Sequence, residues 1–381
     1  MTVPHLTMMS ISEDILAASS NAHEKFAAIV AAIRDEYLSA AQHYPWIVGF
    51  SGGKDSTLVL HAVFEALLSI APSRRSRAVH VVANDTLVES PLVIAHMHRA
   101  LTLIQSAARN LSLPITINVT RPDLESSFWV NLIGRGYPTP NQTMRWCTDR
   151  LKIQPTSRYI LDSVSRCGSA IVVLGVRRDE SHTRRVSIER RSNLAGSNLT
   201  PHTKLRGAFV YRPIVNLTTD EVWEILGSHL PPWGSTHDDL IRLYREANGG
   251  ECPIVLSKEE APGCGTNSSR FGCWVCTVVE KDKSLQGFVK SGNTRYACLI
   301  AFRDWLKGIR NDTSLRQVAR RNKRVTFNNQ GLHIPGPFTV QARRLILDKL
   351  LETQAAYGET LISEAEIQVI KRLWTEDLIR K

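Results

Sequence analysis

The sequence predicts an α/β protein built on a parallel sheet with helices on both faces. Short apolar runs alternate with segments of helical period through the first half of the chain, and such alternation needs crossover connections between parallel strands. A glycine turn stands between the first apolar run and the first amphipathic segment, where a strand hands over to a helix. Apolar residues make up 43% of the 381, enough to bury a sizeable core, and this excludes intrinsic disorder.

Residues 11–44 carry Phe26, Val30, Ile33 and Tyr37 at helical spacing ahead of Pro45 and predict one or two helices. Strand, loop and helix follow at 46–50, 51–55 and 56–70. The pattern repeats with a strand at 78–83, a helix at 91–110, a strand at 114–120, a mostly helical stretch at 148–164 and a strand at 170–176. Beyond Pro201, where a boundary is expected, come one more strand at 208–214, a short helix at 219–226 and a Gly/Pro/Cys-rich loop at 249–276. The remainder reads as helical at 282–307, polar and irregular at 308–337, and helical at 340–354 and 363–379. The implied organisation is a helical segment (1–44), an α/β domain (45–200), its continuation with a cysteine-rich region (201–310), and a basic linker with C-terminal helices (311–381).

Lysine plus arginine exceeds aspartate plus glutamate by 47 to 36. A surface of that sign favours polyanions such as nucleic acid or nucleotide phosphates. No apolar run approaches the ~20 residues that span a bilayer, and no charged start with a greasy core precedes Lys25, so a reducing cytoplasmic setting is expected. Seven cysteines, an odd number, with four between Cys252 and Cys276, point to metal or sulfur chemistry rather than a disulfide framework.

Ser51, Gly52, Gly53, Lys54, Asp55 and Ser56 lie where the first strand meets the first helix of the sheet domain. Glycines there let backbone N–H groups approach phosphate oxygens at a helix N-terminus, an anion cradle. The spacing is neither that of the Walker loop nor that of the dinucleotide fingerprint, so kinase and dehydrogenase readings fail. Asn84, Asp85 and Thr86 end the second strand, where crevices open at the carboxyl edge of a parallel sheet and a ribose or adenine fits. Arg177, Arg178, Arg184 and Arg185 offer fork-like donors for phosphates.

Cys273 and Cys276 have the C-x2-C spacing that sets two thiolates on one turn. Cys264 and Cys252 lie upstream in the same loop region and Cys147 lies far off in sequence. Any four of the five make a four-thiolate site, for an iron–sulfur cluster or for structural zinc. Arg316, Arg320, Arg321, Lys323 and Arg324 form a late basic patch suited to phosphate contacts.

The run from Ser51 to Ser56 resembles the pyrophosphate loop of the N-type ATP pyrophosphatases. That resemblance implies an adenine nucleotide α-hydrolase-like fold, ATP with Mg²⁺, and release of pyrophosphate as a substrate is adenylated. Residues 84–89, 175–181 and 213–223 resemble the phosphoadenosine-phosphosulfate reductase branch of that superfamily, in the same chain order. Residues 128–138, 145–147, 249–253 and 270–284 resemble the DndC-type sulfurtransferases of bacterial DNA phosphorothioation systems. The resemblance implies replacement of a non-bridging oxygen of the DNA backbone by sulfur, with DNA, a cysteine desulfurase and other phosphorothioation proteins as partners.

On that resemblance the nucleotide falls to Ser51, Gly52, Gly53, Lys54, Asp55, Ser56, Asn84, Asp85, Thr86, Gly175 and Arg177, and the chemistry to Lys54, Asp55, Cys147 and Arg177. A 4Fe-4S cluster falls to Cys147, Cys264, Cys273 and Cys276, with Cys252 as the alternative to Cys264. The catalytic cysteine motif that true reductases carry near the C-terminus has no counterpart after Cys298. Three rival readings are tRNA thiolation, sulfonucleotide reduction and a non-catalytic iron–sulfur module that binds nucleic acid.

Overall fold

The computed structural model describes residues 7–39, 44–180, 186, 198–234, 236–248 and 271–379. Its central sheet has six strands: β1 (Trp46–Phe50), β2 (Val79–Asn84), β3 (Ile115–Thr120), β4 (Ala170–Val173), β5 (Leu199–Pro201) and β6 (Ala208–Tyr211). Their spatial order is β3-β2-β1-β4-β6-β5. All neighbours are parallel except the β5–β6 pair, which is antiparallel. The chain runs outward from β1 through β2 to β3 and returns to the other side of β1 at β4, so a topological switch point lies between β1 and β4. Crevices at such points open beyond the carboxyl ends of the strands.

Alternation along each strand divides the core between the two faces. Trp46, Val48 and Phe50 of β1, Val79 and Val81 of β2, and Ile171 and Val173 of β4 join one buried cluster. Ile47, Val82, Ala170 and Val172 join the other. The first face is covered by α1 (Thr7–Leu38), α2 (Lys54–Leu68), α3 (Pro91–Asn110) and α5 (Thr219–Ser228), through residues such as Phe26, Leu58, Leu101 and Trp223. The second is covered by α4 (Gln154–Cys167) through Ile160. Each such fully buried aliphatic side chain contributes about 1.5–3 kcal/mol. A third cluster joins Trp129, Leu132, Trp274 and Val275 to α7 (Lys283–Lys290), α8 (Ala297–Gly308), α9 (Val340–Tyr357) and α10 (Glu364–Ile379).

Several boundaries differ from the sequence reading. The expected division at Pro201 falls inside the sheet, because β6 pairs with β4 and β5 pairs back on β6. The strand expected over 170–176 stops at Val173, where the chain turns to bring Gly175 against the start of α2. A break at Ser291 and Gly292 splits the helix expected over 282–307. The irregular stretch holds a two-stranded hairpin, β7 (Thr326–Phe327) and β8 (His333–Ile334). A helix absent from the sequence reading, α6 (Asp238–Ala247), places Leu240 and Tyr244 on the first face of the sheet. Among the described residues no helix is long and apolar enough to cross a membrane.

The start of α6 carries a pH dependence. His237 Nε2 lies 3.2 Å from His61 Nδ1, both rings buried, and burial with the neighbouring His61 pushes the His237 imidazole down to about 3. A depressed histidine stabilises the fold while it stays neutral, so this contribution is complete above pH ~6.5 and is lost as pH falls toward the folded value. Urea titrations between pH 6.5 and 4.5 are expected to lose on the order of 2–3 kcal/mol through this ring. A His237→Gln chain should have a flatter profile; an equally steep one would assign the loss elsewhere.

Candidate active site

The first functional element is the turn between β1 and α2. Gly52 has φ +72°, and a Cβ there would lie 3.2 Å from Met97 Cβ, so both backbone conformation and space call for glycine. The loop is tied internally. Ser51 N–H donates to Ser56 Oγ at 3.2 Å, and Ser56 Oγ donates to Gly53 O at 2.9 Å. Gly53 is the N-cap of α2 and supplies no capping side chain. Uncapped amides and the helix dipole favour an anion here. Tyr244 of α6 accepts from Lys54 N–H at 3.3 Å, and the Lys54 ammonium lies 5.9 Å from the centre of its ring.

Asp55 is held from two sides. Lys54 Nζ donates to its Oδ2 at 3.0 Å and Arg177 Nε to its Oδ1 at 2.6 Å. The Arg177 guanidinium, 1% exposed, also donates to Leu217 O at 3.2 Å and Thr219 Oγ1 at 3.1 Å. Arg177, expected at the nucleotide, is buried beside the anion loop, where it orients Asp55 and ties the β4 exit to the start of α5. Thr218 and Glu221 form a capping box there, and Lys25 of α1 pairs with Glu221 at 2.6 Å. A Cβ on Gly175 would lie 2.7 Å from Asp55 O, so glycine lets the β4 exit run against the helix N-terminus.

The second element lies at the carboxyl end of β2, next to β1. Residues 88–90 pair with 272–274: Trp274 N–H donates to Val88 O at 3.1 Å and Ser90 N–H to Gly272 O at 3.2 Å. This pairing sets Cys273 against the strand end, where Thr86 Oγ1 lies 3.6 Å from its Sγ and donates to Glu89 Oε1 at 3.1 Å. Lys152 Nζ meets Glu89 Oε1 at 3.0 Å. Cys147, on a single helical turn at Trp146–Thr148, feels the thiol of Cys276.

Burial pushes the Cys147 thiol up, and Cys276 adds to the shift. Burial also raises Cys273, as does Glu89, while Lys152 and Thr86 act in the opposite sense. For Lys152, burial works against the ammonium, but Glu89, Cys273 and Cys147 outweigh it and leave the lysine above its ordinary range. The three thiols, one ammonium and one carboxylate therefore form one electrostatic neighbourhood.

The remaining residues read from the sequence take supporting places. Asn84 Nδ2 donates to Lys152 O at 3.1 Å and Thr156 Oγ1 at 3.0 Å. Asp85 accepts from Leu87 N–H at 2.9 Å and Arg121 Nε at 3.0 Å. These bonds fix the β2 exit. Arg184, Arg185, Cys252 and Cys264 lie outside the described residues. Among the described residues no three His, Cys, Asp or Glu side chains form a group that could hold a metal ion. Arg316 leaves the expected basic patch: its guanidinium donates to Gly336 O, Arg310 O and Pro335 O and stacks on Phe338, and burial pushes it down to about 10.

Sequence reasoning missed Tyr244, Lys152 and Glu89 as site residues. Tyr244 had a signal in the spacing of Leu240, Leu243, Tyr244 and Ala247. Glu89 lies in the run 84–89 singled out in the sequence and Lys152 five residues after Cys147, but only the fold joins them. Tyr244 also packs on Phe271 with ring centres 4.5 Å apart, two residues before Cys273, and so links the anion loop to the thiols.

The doubly directed parallel sheet and its anion loop define a nucleotide-processing α/β protein. The family model of the phosphoadenosine phosphosulfate reductase domain matches residues 45–279, more than half of the chain. The chain belongs to that family. Among solved structures it is similar to the phosphoadenylyl-sulfate reductase of Candida auris in its phosphate complex, at 13% identity over 48% of this chain and 71% of that one, with a TM-score of 0.29. It is also similar to the FMN adenylyltransferase of Candida glabrata with FMN and the ATP analogue AMPCPP, at 9% identity over 63% of this chain and 69% of that one, with a TM-score of 0.34. Comparison with curated proteins gives no match.

Proposed function

We propose that this protein is an ATP-dependent sulfurtransferase that adenylates a DNA backbone phosphate and exchanges one of its oxygens for sulfur. The observation that carries this reading is the placement of the anion loop and the thiols on one edge of the sheet. Phe50 and Ala83 are paired neighbours at the ends of β1 and β2, so the segments that follow them start about 5 Å apart. The likeness of residues 128–138 and 270–284 to the phosphorothioation sulfurtransferases supports the choice of substrate.

In the first step a non-bridging oxygen of the DNA phosphate attacks the α-phosphorus of ATP, and the bond to pyrophosphate breaks. Lys54 and the loop amides counter the charge that gathers on the departing pyrophosphate. A magnesium ion arriving with the nucleotide is held mainly by phosphate oxygens and water; Asp55 is the carboxylate that the loop itself offers. In the second step a persulfide sulfur, supplied by a cysteine desulfurase, attacks the activated phosphorus and AMP leaves with the oxygen. A second thiol then cuts the sulfur–sulfur bond, becoming part of a disulfide and leaving sulfur on phosphorus. Cys147 is the candidate carrier, and Lys152 places a cation beside the anionic sulfur and phosphate.

As the alternative to the carrier role of Cys147, the soft donor chemistry of Cys147, Cys273 and Cys276 would suit an iron–sulfur cluster, with the fourth thiolate from Cys264 or Cys252. Bound there, a cluster would supply electron transfer or fix the shape of the sulfur site. The other phosphorothioation proteins are the proposed partners, in the cytoplasm.

The test is pyrophosphate release from ATP by anaerobically purified protein supplied with DNA, desulfurase and cysteine, with phosphorothioate read by mass spectrometry of digested DNA. Lys54→Ala should lower release at least 10²-fold. Release that requires tRNA in place of DNA, or sulfite formed from a phosphosulfate nucleotide, would overturn the DNA reading. No release with any acceptor favours a non-catalytic binding module.

A further inference from the structure

Beside the Cys147 turn runs a groove of about 530 Å³, within the size range of small-ligand sites. Its lining brings the aromatic and apolar side chains of Tyr137, Met144 and Trp146 together with Arg310, Arg320 and Arg321. Its whole lining holds four arginines and no carboxylate. Such a surface fits a ligand that is both polyanionic and flat.

The aromatic side chains are held in place. Trp146 stacks on Phe128 with ring centres 5.4 Å apart, and its indole N–H donates to Pro138 O at 2.8 Å. Tyr137 has guanidinium groups over its ring from Arg150 at 5.6 Å and Arg321 at 5.8 Å. Arg316 ties Arg310 to the 335–336 segment of the lining through its three backbone acceptors. Arg310 Nη1 donates to Thr277 O at 3.2 Å, so the groove shares a support with the Cys276 turn. Trp146 directly precedes Cys147.

We infer that this groove seats one unstacked nucleotide of a DNA strand, its base against Met144 and Trp146 and its flanking phosphates on Arg310, Arg320 and Arg321. The inference deepens the proposed function and rests on it, since it names how the substrate backbone would be brought to Cys147. Bases stack on aromatic faces whatever their identity, while arginines track the backbone. An acidic peptide would satisfy the arginines but leave Met144 and Trp146 uncovered.

The test is fluorescence anisotropy of a labelled DNA strand with the full chain, without ATP, over a series of salt concentrations. The double variant Arg320→Ala/Arg321→Ala should weaken binding about 10-fold or more and lower the slope of log affinity against log salt by about 1.4, two phosphates' worth on a single strand. Met144→Glu, at a position 38% exposed and so compatible with folding, should weaken binding to a similar extent with an unchanged circular dichroism spectrum. Lys323→Ala/Arg324→Ala, outside the lining, should change binding less. Parental affinity in the groove variants, equal losses from the Lys323/Arg324 pair, or displacement of the strand by polyglutamate at matched charge would each overturn the inference. Groove-dependent DNA binding without pyrophosphate release would sink the enzymatic reading alone. Pyrophosphate release with groove variants that bind DNA normally would sink the groove alone.

Discussion

Replacing Arg177 with methionine is expected to destabilise the protein by about 3–5 kcal/mol, because it strips a buried cation from a carboxylate that stays behind. The guanidinium is 1% exposed and holds Asp55 at 2.6 Å, with Leu217 O and Thr219 as its further acceptors. The same change should lower pyrophosphate release, since Asp55 lies in the anion loop. Adding Asp55→Asn should restore part of the stability by removing a carboxylate left with Lys54 as its remaining cation, while activity stays low. Urea midpoints of the two single variants and the double variant measure the coupling. Methionine in place of Arg177 with a midpoint change worth less than about 0.5 kcal/mol would show that the guanidinium does not brace Asp55.

Gly175→Ala is expected to lower pyrophosphate release about 10²-fold with a stability loss of about 1–3 kcal/mol. The added carbon would lie 2.7 Å from Asp55 O and 2.8 Å from Asp55 C, both backbone atoms at the start of α2. A flexible side chain could rotate away; a helix N-terminus has to translate, and it takes the loop amides with it. Gly308→Ala is the matched control, with nothing within 4 Å of its added carbon at the end of α8, and should leave release unchanged. Release by Gly175→Ala within about threefold of the parent would refute the close approach, because misplacement on the scale of 1 Å costs far more than that.

The alternation of runs was enough to read the parallel sheet, because strands buried on both faces need continuous apolar residues and the helices between them need a 3.6-residue period. The helix at Pro91–Asn110 matches its expectation to the residue, since Pro91 opens it and Pro114 lies just beyond its end. Short elements were less legible. Asp238–Ala247 spans only 10 residues, and a two-residue strand such as Thr326–Phe327 has no period to detect. The loop from Ser51 to Ser56 was visible because its glycines and small polar residues act within one turn.

Sequence alone determined the α/β class, the glycine turn at the start of α2 and the placing of Cys273 and Cys276 on one turn, since each depends on residues within a few positions of one another. Only the tertiary structure decided that Arg177 braces Asp55, that Lys152 and Glu89 flank Cys273, and that Tyr244 joins the loop to the cysteine segment. Those partners lie 27 to 190 positions apart, and what a charged side chain does is set by what it is buried against, which the order of residues along the chain does not record.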